Sequence, residues 1–465
     1  MNWNDKLTTR LNACSLETLY TSTKHIHCPA TQRQQPSEAS YPLVIGCYQL
    51  NEGENQESSE GASRSGALLL HSIDMFPESV SGSSNKIKFG EARNVIDTDA
   101  GILDGKWLQS RPFRFTSTAT NGHDNTKDNA RNDNLVSTLE EAESCFMYAT
   151  ASASGSIDIY RLVDNRIPSE GEDDQTELTD VQKLSYRLEQ EITSKDNDNN
   201  DSDSTDDNGL ALSLAWDEFI VDPSACQDKT RIVSSYSNGS IAVHNVQQSS
   251  SSSLVMEETH RWKGHTLFGC PSEVWTSCFA NNRHYNTYGD TIISGGDDCI
   301  LKLWDLRTCT SRDEGTPGTI SSNKDFEAGV TAVSYNPTME HYFAVGSYDE
   351  YVRIWDMRKV GPRADPLVKV HVGGGVWRIK WHPKDPDRIL VGAMHGGCRI
   401  VQVVNLETGD EGGNKEAKSA IKANITAEFT EHKSMAYGAD WLYHATDQIE
   451  AAASCSFYDR QAFIW

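Results

Sequence analysis

Glu17, Asp104 and Arg378 are the residues whose types and placement in this sequence could do chemistry. Each is read as the third residue of a short apolar-x-x-apolar-x-aromatic segment: SLETLY (Ser15–Tyr20), ILDGKW (Ile102–Trp107) and VWRIKW (Val376–Trp381). Side chains alternate along a strand, so third residues of equivalent strands face one way at a common height. Two carboxylates opposite a guanidinium offer a base for water and a cation for an oxyanion. The competing reading is a water-filled channel whose charges balance one another.

His395 belongs to the same set of candidates, because it takes the turn position held elsewhere by Asp298, Asp349 and Asp459. An imidazole there suits a general base, although a lone turn histidine is also an ordinary exposed polar residue. Trp275, Trp377 and Tyr437 stand second in their segments. They read either as packing between strands or as an aromatic wall for a cationic ligand.

Other groupings are structural. His265, Ser294, Asp298 and Trp304 imitate a hydrolase triad, but their spacing is that of a hydrogen-bonded tie between strands. The last repeat carries His432, Asp459 and Trp465, with Cys455 at the serine place. The chain holds no G-x-S-x-G elbow, no phosphate-cradling loop and no H-E-x-x-H helix. Gly373-Gly374-Gly375 precedes a strand rather than a helix, which argues against a nucleotide loop.

The elements that must position these residues recur. GSYDEYVRIWDMR (Gly346–Arg358) reads as strand, tight turn, strand, with Asp349 six residues before Trp355. SGGDDCILKLWDLR repeats that spacing between Asp298 and Trp304, and CSFYDRQAFIW between Asp459 and Trp465. This is the repeat of the WD-repeat β-propeller. Seven inner strands precede seven such units: the three segments above together with Ala211–Trp216, Val274–Phe279, Val330–Tyr335 and Ala436–Trp441. The fold class is all-β, a single seven-bladed propeller over residues 1–465.

The last unit stops at Trp465, a third strand, and an open sheet edge invites aggregation. Trp3 to Leu11 is the segment placed to close the ring. Polar inserts near 51–65, 78–94, 117–143, 168–208 and 247–253 read as disordered surface loops. A net charge of −25 without a basic stripe argues against nucleic acid or an anionic membrane as partner. Eleven cysteines without a C-x-x-C pair fit a reducing compartment and neither disulfides nor zinc. No apolar run approaches membrane-spanning length, and a cytoplasmic location is expected.

Several segments go beyond the general repeat. GGGVWRIKWHP (Gly373–Pro383), Met394-His395, EHKSMAYGADW (Glu431–Trp441), CSFYD (Cys455–Asp459) and GGDDC (Gly295–Cys299) together resemble the diphthine methylesterase family. The resemblance implies a cytosolic hydrolase without cofactor. It would remove a methyl ester from an intermediate of diphthamide synthesis carried on translation elongation factor 2. That intermediate carries a trimethylammonium group beside the ester. Matched to it, Asp104 or His395 is the expected base and Arg378 the oxyanion partner, with Glu17 and Trp377 or Tyr437 on the cation. A second class remains open. WDLR (Trp304–Arg307) and WDMR (Trp355–Arg358) resemble the box through which substrate receptors of cullin-RING ubiquitin ligases dock their adaptor. There Arg307 and Arg358 would meet the partner.

Overall fold

The computed structural model describes residues 5–20, 39–51, 63–75, 87–109, 113–115, 143–164, 186–194, 209–219, 229–249, 253–309, 316–404, 421–444 and 449–465. Among the described residues, seven antiparallel sheets of four or five strands are each ordered from an inner strand outwards, and a two-stranded ribbon pairs Thr266–Leu267 with Cys270–Pro271. The inner strands are Asn12–Thr18, Ile102–Trp107, Ala211–Trp216, Thr276–Ala280, Val330–Tyr335, Arg378–Trp381 and Ala436–His444. The architecture is a seven-bladed WD-repeat β-propeller.

The second strands are the most apolar because neighbouring blades cover both their faces. Tyr342–Ser347 is buried along its whole length. The core therefore lies between blades rather than in one centre. Leu43, Ile45 and Leu69 of blade 1 pack with Leu442, Ala453 and Ile464 of blade 7, which seals the ring at the junction of the chain ends.

That junction is completed by hydrogen bonding. Asp5–Thr8 pairs antiparallel with Gln461–Ile464, from Asp5 opposite Ile464 to Thr8 opposite Gln461. The first strand of the chain is thus the outer strand of blade 7. Trp3 lies outside the described residues.

Two of the inserts expected from polar composition contain outer strands instead. Residues 87–94 belong to Ile87–Thr98, and 186–193 form Tyr186–Thr193. An outer strand pairs along one edge and meets solvent on the other, so Lys88, Glu91 and Arg93 are tolerated there. The remainder of the inserts lies almost wholly outside the described residues. Among the described residues no helix is long and apolar enough to cross a membrane.

Candidate functional site

The inner strands share a recurrent tie. Trp107, Trp216, Trp381 and Trp441 each end their segment in sixth place and donate an indole Nε1–H to the preceding blade. The acceptors are the carbonyls of Glu17, Lys106, Ser334 and Lys380, at 3.3, 2.9, 3.0 and 3.0 Å. Lys106, Ser334 and Lys380 are fifth-place residues, so Glu17 is one too. The bulge agrees: Asn12–Thr18 shifts register between Ala13 and Ser15 as Ile102–Trp107 does between Ile102 and Asp104.

This corrects the expected register of blade 1. Ser15, not Glu17, is level with Asp104 and Arg378, and Glu17 lies one layer deeper. Blade 1 has Thr18 where the other segments cited carry tryptophan, so anchoring the pattern on Tyr20 placed it two residues late. Two inner strands also begin later than expected, at Thr276 and Arg378. Val274 and Val376 instead donate their N–H groups to Tyr236 and Ser347 of the preceding blades.

Six charged side chains from four blades meet in the channel. In the upper layer Arg378 Nη1 of blade 6 reaches Asp104 Oδ1 of blade 2 at 2.8 Å. Lys106 Nζ holds the same carboxylate at 3.0 Å. In the lower layer Glu17 accepts from Lys380 at 2.5 Å and from Lys106 at 3.4 Å. Lys380 also lies 3.8 Å from Asp440. Asp440 further accepts from the Thr18 N–H at 2.8 Å and from the Tyr20 hydroxyl. Three carboxylates thus face three cations, a balanced set.

The titrations follow from that geometry. Burial opposes charge on Asp104, but Arg378 and Lys106 outweigh it and hold the carboxyl at about 2. Burial dominates at Asp440, and nearby Glu17 adds to it, so this carboxyl rises to about 6. Burial, with Arg378 close by, lowers Lys106. Burial also opposes charge on Lys380, yet Asp440 and Glu17 raise it.

Above the ions the mouth is aromatic. Trp275 of blade 4 and Trp377 of blade 6 do not belong to adjacent blades, yet their rings stand 5.7 Å apart. Tyr348, from the turn of blade 5 between them, lies 6.1 Å from each. Tyr437 of blade 7 stands 4.9 Å from Trp377. All four rings are half-buried. Trp275, Trp377, Tyr437 and Tyr348 are thus linked by ring contacts across blades at the mouth. Below it lies a cavity of ≈ 200 Å³ lined by Trp275, Trp377, Asp104, Arg378, Lys106 and Lys380, among others.

Acidic residues border these rings. Trp275 Nε1 donates to Asp297 Oδ1 at 3.1 Å. Burial raises the Tyr348 phenol, and Tyr437, Asp297 and Glu273 push it further. A Cβ on Gly329 would stand 2.7 Å from Asp297 Oδ1 and 3.3 Å from Tyr348 Cδ2, so any larger residue there would push on both. Tyr348, Asp297 and Glu273 escaped the reading of inner strands because two are turn residues and the third precedes its strand. The available signal was an aromatic residue in the turn after Gly346-Ser347.

His395 is exposed in the turn of blade 6. That turn packs on Gly374 and bridges from Met394 to Ala436, the residue before Tyr437. The turn that carries the histidine therefore lies beside the segment of Tyr437. Among the described residues no group of His, Cys, Asp and Glu side chains is placed to hold a metal ion.

The triad-like groups are buried ties. His265 meets Asp298 and Ser294 at 2.8 Å each, and Trp304 donates to Ser294 at 2.8 Å. In blade 7, His432 meets Ser454 at 2.7 Å and Trp465 donates to the same hydroxyl at 3.0 Å. Ser454 holds the serine place expected for Cys455, because the turn before Asp459 is one residue longer. Arg307 and Arg358 form two-point pairs with Asp305 and Asp356 of their own motifs.

Comparison with known proteins gives the following. The family described as "WD domain, G-beta repeat" matches residues 256–305 and 318–356. A diphthine methyltransferase homolog of Dictyostelium discoideum is 33% identical over 262 residues, covering 55% of this chain and 62% of that protein. The diphthine methyltransferase of Mus musculus is 31% identical over 300 residues, 63% of this chain and 50% of that one. A DDB1- and CUL4-associated factor 11 homolog of Caenorhabditis briggsae is 30% identical over 116 residues, 24% of this chain and 19% of that one. The chain spans about half the length of the diphthine methyltransferases it matches. It is a seven-bladed WD-repeat propeller similar in sequence to proteins named diphthine methyltransferase, the likeness that its own motifs carry.

Proposed function

We propose that the protein acts in diphthamide biosynthesis, hydrolysing the methyl ester of methylated diphthine on translation elongation factor 2. The observation that carries the reading is the order Trp377–Arg378 at the start of the inner strand of blade 6. A ring at the mouth is followed directly by a guanidinium in the channel, with the cavity beside both. A cationic head group against the rings would leave its ester within reach of that guanidinium. The names of the similar proteins supply the pathway. Those names denote methyl transfer, whereas in the reading here water takes the acyl group and the methyl group leaves as methanol.

In that reaction a water oxygen bonds to the ester carbonyl carbon and gives its proton to a base. The carbonyl oxygen carries the negative charge until methoxide leaves, protonated, as methanol. Arg378 is the cation nearest the mouth for that charge. Asp104, held at about 2 in its pair with Arg378, is a weak base. His395, exposed in the turn of blade 6 and outside these ion pairs, is the candidate base.

The test uses purified protein and methyl-esterified elongation factor 2 in ¹⁸O-water. Release of methanol with one heavy oxygen in the new carboxylate is expected. Methyl exchange with a sulfonium donor, without methanol, would overturn the reading.

A second reading is favoured by one observation: the Arg307 side chain is 72% exposed although paired. An adaptor of a ubiquitin ligase would dock there and at Arg358. Replacing both arginines by alanine should then abolish adaptor co-purification while leaving the fold intact. Undiminished co-purification excludes the docking role.

A further inference from the structure

The cation subsite implied for Glu17 is not available at Glu17, which is 1% exposed and already holds Lys106 and Lys380. We propose that Trp275, Tyr348 and Trp377, closed by Asp297 and Glu273, form a binding site for a quaternary ammonium group. This deepens the esterase reading by naming the part of the substrate the mouth recognises. It rests on that reading only for the ester.

The argument begins with ring placement. Three blades each contribute one half-buried ring, and the three centroids stand 5.7–6.1 Å apart. Edges meet faces at 60° between the tryptophans and 83° between Trp275 and Tyr348. Such rings form a corner, not a stack, and a corner offers two π faces to one guest. The negative face of indole attracts a cation within about 6 Å of its centre. A methylated ammonium suits this better than a lysine ammonium, since it has no N–H bonds to lose and little hydration to strip.

The charge pattern agrees. Asp297 is anchored by the Trp275 indole at 3.1 Å, and its N–H donates to the Glu273 carbonyl at 2.9 Å. Among the described residues neither acid pairs with a lysine or arginine, unlike the carboxylates of the channel below. Both raise the Tyr348 phenol, and the Asp297 carboxylate touches the Trp275 ring directly. The thioether of Met394 lies on the other side, 3.1 Å from where a Gly375 Cβ would be; Tyr348 Cδ1 is 3.2 Å from the same point. The corner thus combines polarisable walls with two acids.

Binding of choline and tetramethylammonium is measured by calorimetry and tryptophan quenching at fixed ionic strength. The control is 3,3-dimethyl-1-butanol, the neutral isostere of choline. Choline should bind at least about 10-fold more tightly than the alcohol. Trp377→Leu and Tyr348→Leu should each weaken choline by about 10-fold, and Asp297→Asn by a smaller factor at unchanged shape. Equal affinity for the alcohol and choline, or no saturable binding of either, overturns the site. Should the leucine variants misfold by circular dichroism, Asp297→Asn alone decides: unchanged affinity for choline then overturns the site. The two readings fail separately. Choline binding without methanol release sinks the esterase and keeps this site. Methanol release with no discrimination between choline and its isostere does the reverse.

Discussion

Arg378 and Asp104 stand on blades 6 and 2, which share no sheet, and their side chains meet across the central channel at 2.8 Å. Blades 7 and 1 lie between them on one side and blades 3, 4 and 5 on the other. The contact therefore spans the ring and separates the cavity side from the ion cluster of blades 7 and 1. Both side chains are largely withdrawn from water, at 12% and 3% exposure. Removing either partner leaves a charge buried in a cluster that was balanced.

That imbalance gives the first prediction. Arg378→Met should destabilise the fold by about 3–5 kcal/mol, the usual cost of orphaning a buried charge. Asp104→Asn should cost at least as much, because it takes the acid from Arg378 and Lys106 together, whereas Arg378→Met leaves Asp104 with Lys106. The double variant should recover part of the loss. Urea unfolding of all four proteins measures it, and strictly additive single effects would show that the two residues are not coupled.

The second prediction concerns pH. Asp440 titrates at about 6 in the fold, above the roughly 3.9 of an unfolded aspartate. A raised acid binds its proton more tightly when folded. Its contribution is therefore complete below about pH 4 and is lost as pH rises through about 6. Asp104 has the opposite sign: its contribution is present above about pH 4 and is lost as pH falls toward about 2. In Asp440→Asn the decline between about pH 4 and 6 should flatten. Urea midpoints across that window would refute the assignment if wild type and variant ran parallel.

Much of this architecture was legible in the chain because a WD repeat is written locally. Asp298 and Trp304, or Asp349 and Trp355, lie within one strand–turn–strand unit, so spacing alone locates them. The aromatic sixth residue extends the same logic to six inner strands, four of them with a tryptophan that makes the indole tie. Blade 1 failed because Thr18 replaces the aromatic anchor, and a two-residue slip moved Glu17 into the wrong layer. The Trp275–Trp377 contact was not legible at all. It depends on ring closure, which brings blades 4 and 6 together over the mouth, and no local pattern encodes that distance. Outer strands such as Ile87–Thr98 were hidden for the converse reason, since a strand wetted on one edge has the composition of a loop.

Closure of the ring gives the third prediction. Asp5–Thr8 covers the edge of Gln461–Ile464, and Asp5 also accepts from the Phe89 N–H of blade 1 at 2.8 Å. Deleting residues 1–11 should expose that edge, lower the melting temperature and promote aggregation. Leu7→Asp is the milder test, because it spares the backbone pairing but places a charge against the core that Leu7 joins. A melting temperature unchanged in both variants would mean that the strand is dispensable.

The fourth prediction separates the two candidate bases. Asp104 lies 2.8 Å from Arg378 and 3.0 Å from Lys106, and accepts the Leu214 N–H at 3.3 Å. Its lone pairs are occupied, and taking a proton would cost it two ion pairs. His395 carries no such burden in the turn of blade 6. If it activates water, His395→Asn should lower kcat for methyl ester hydrolysis by about 10²–10⁴-fold, the usual share of a general base. KM should change little, because asparagine leaves the aromatic rings intact. The pH profile of kcat, measured for both variants, discriminates further: the variant that alters it identifies the base. Stability should respond in the opposite order, with Asp104→Asn the weaker protein in urea. If His395→Asn keeps its turnover and its pH profile while a folded Asp104→Asn loses both, the base is the channel carboxylate, and the pair with Arg378 must open during turnover.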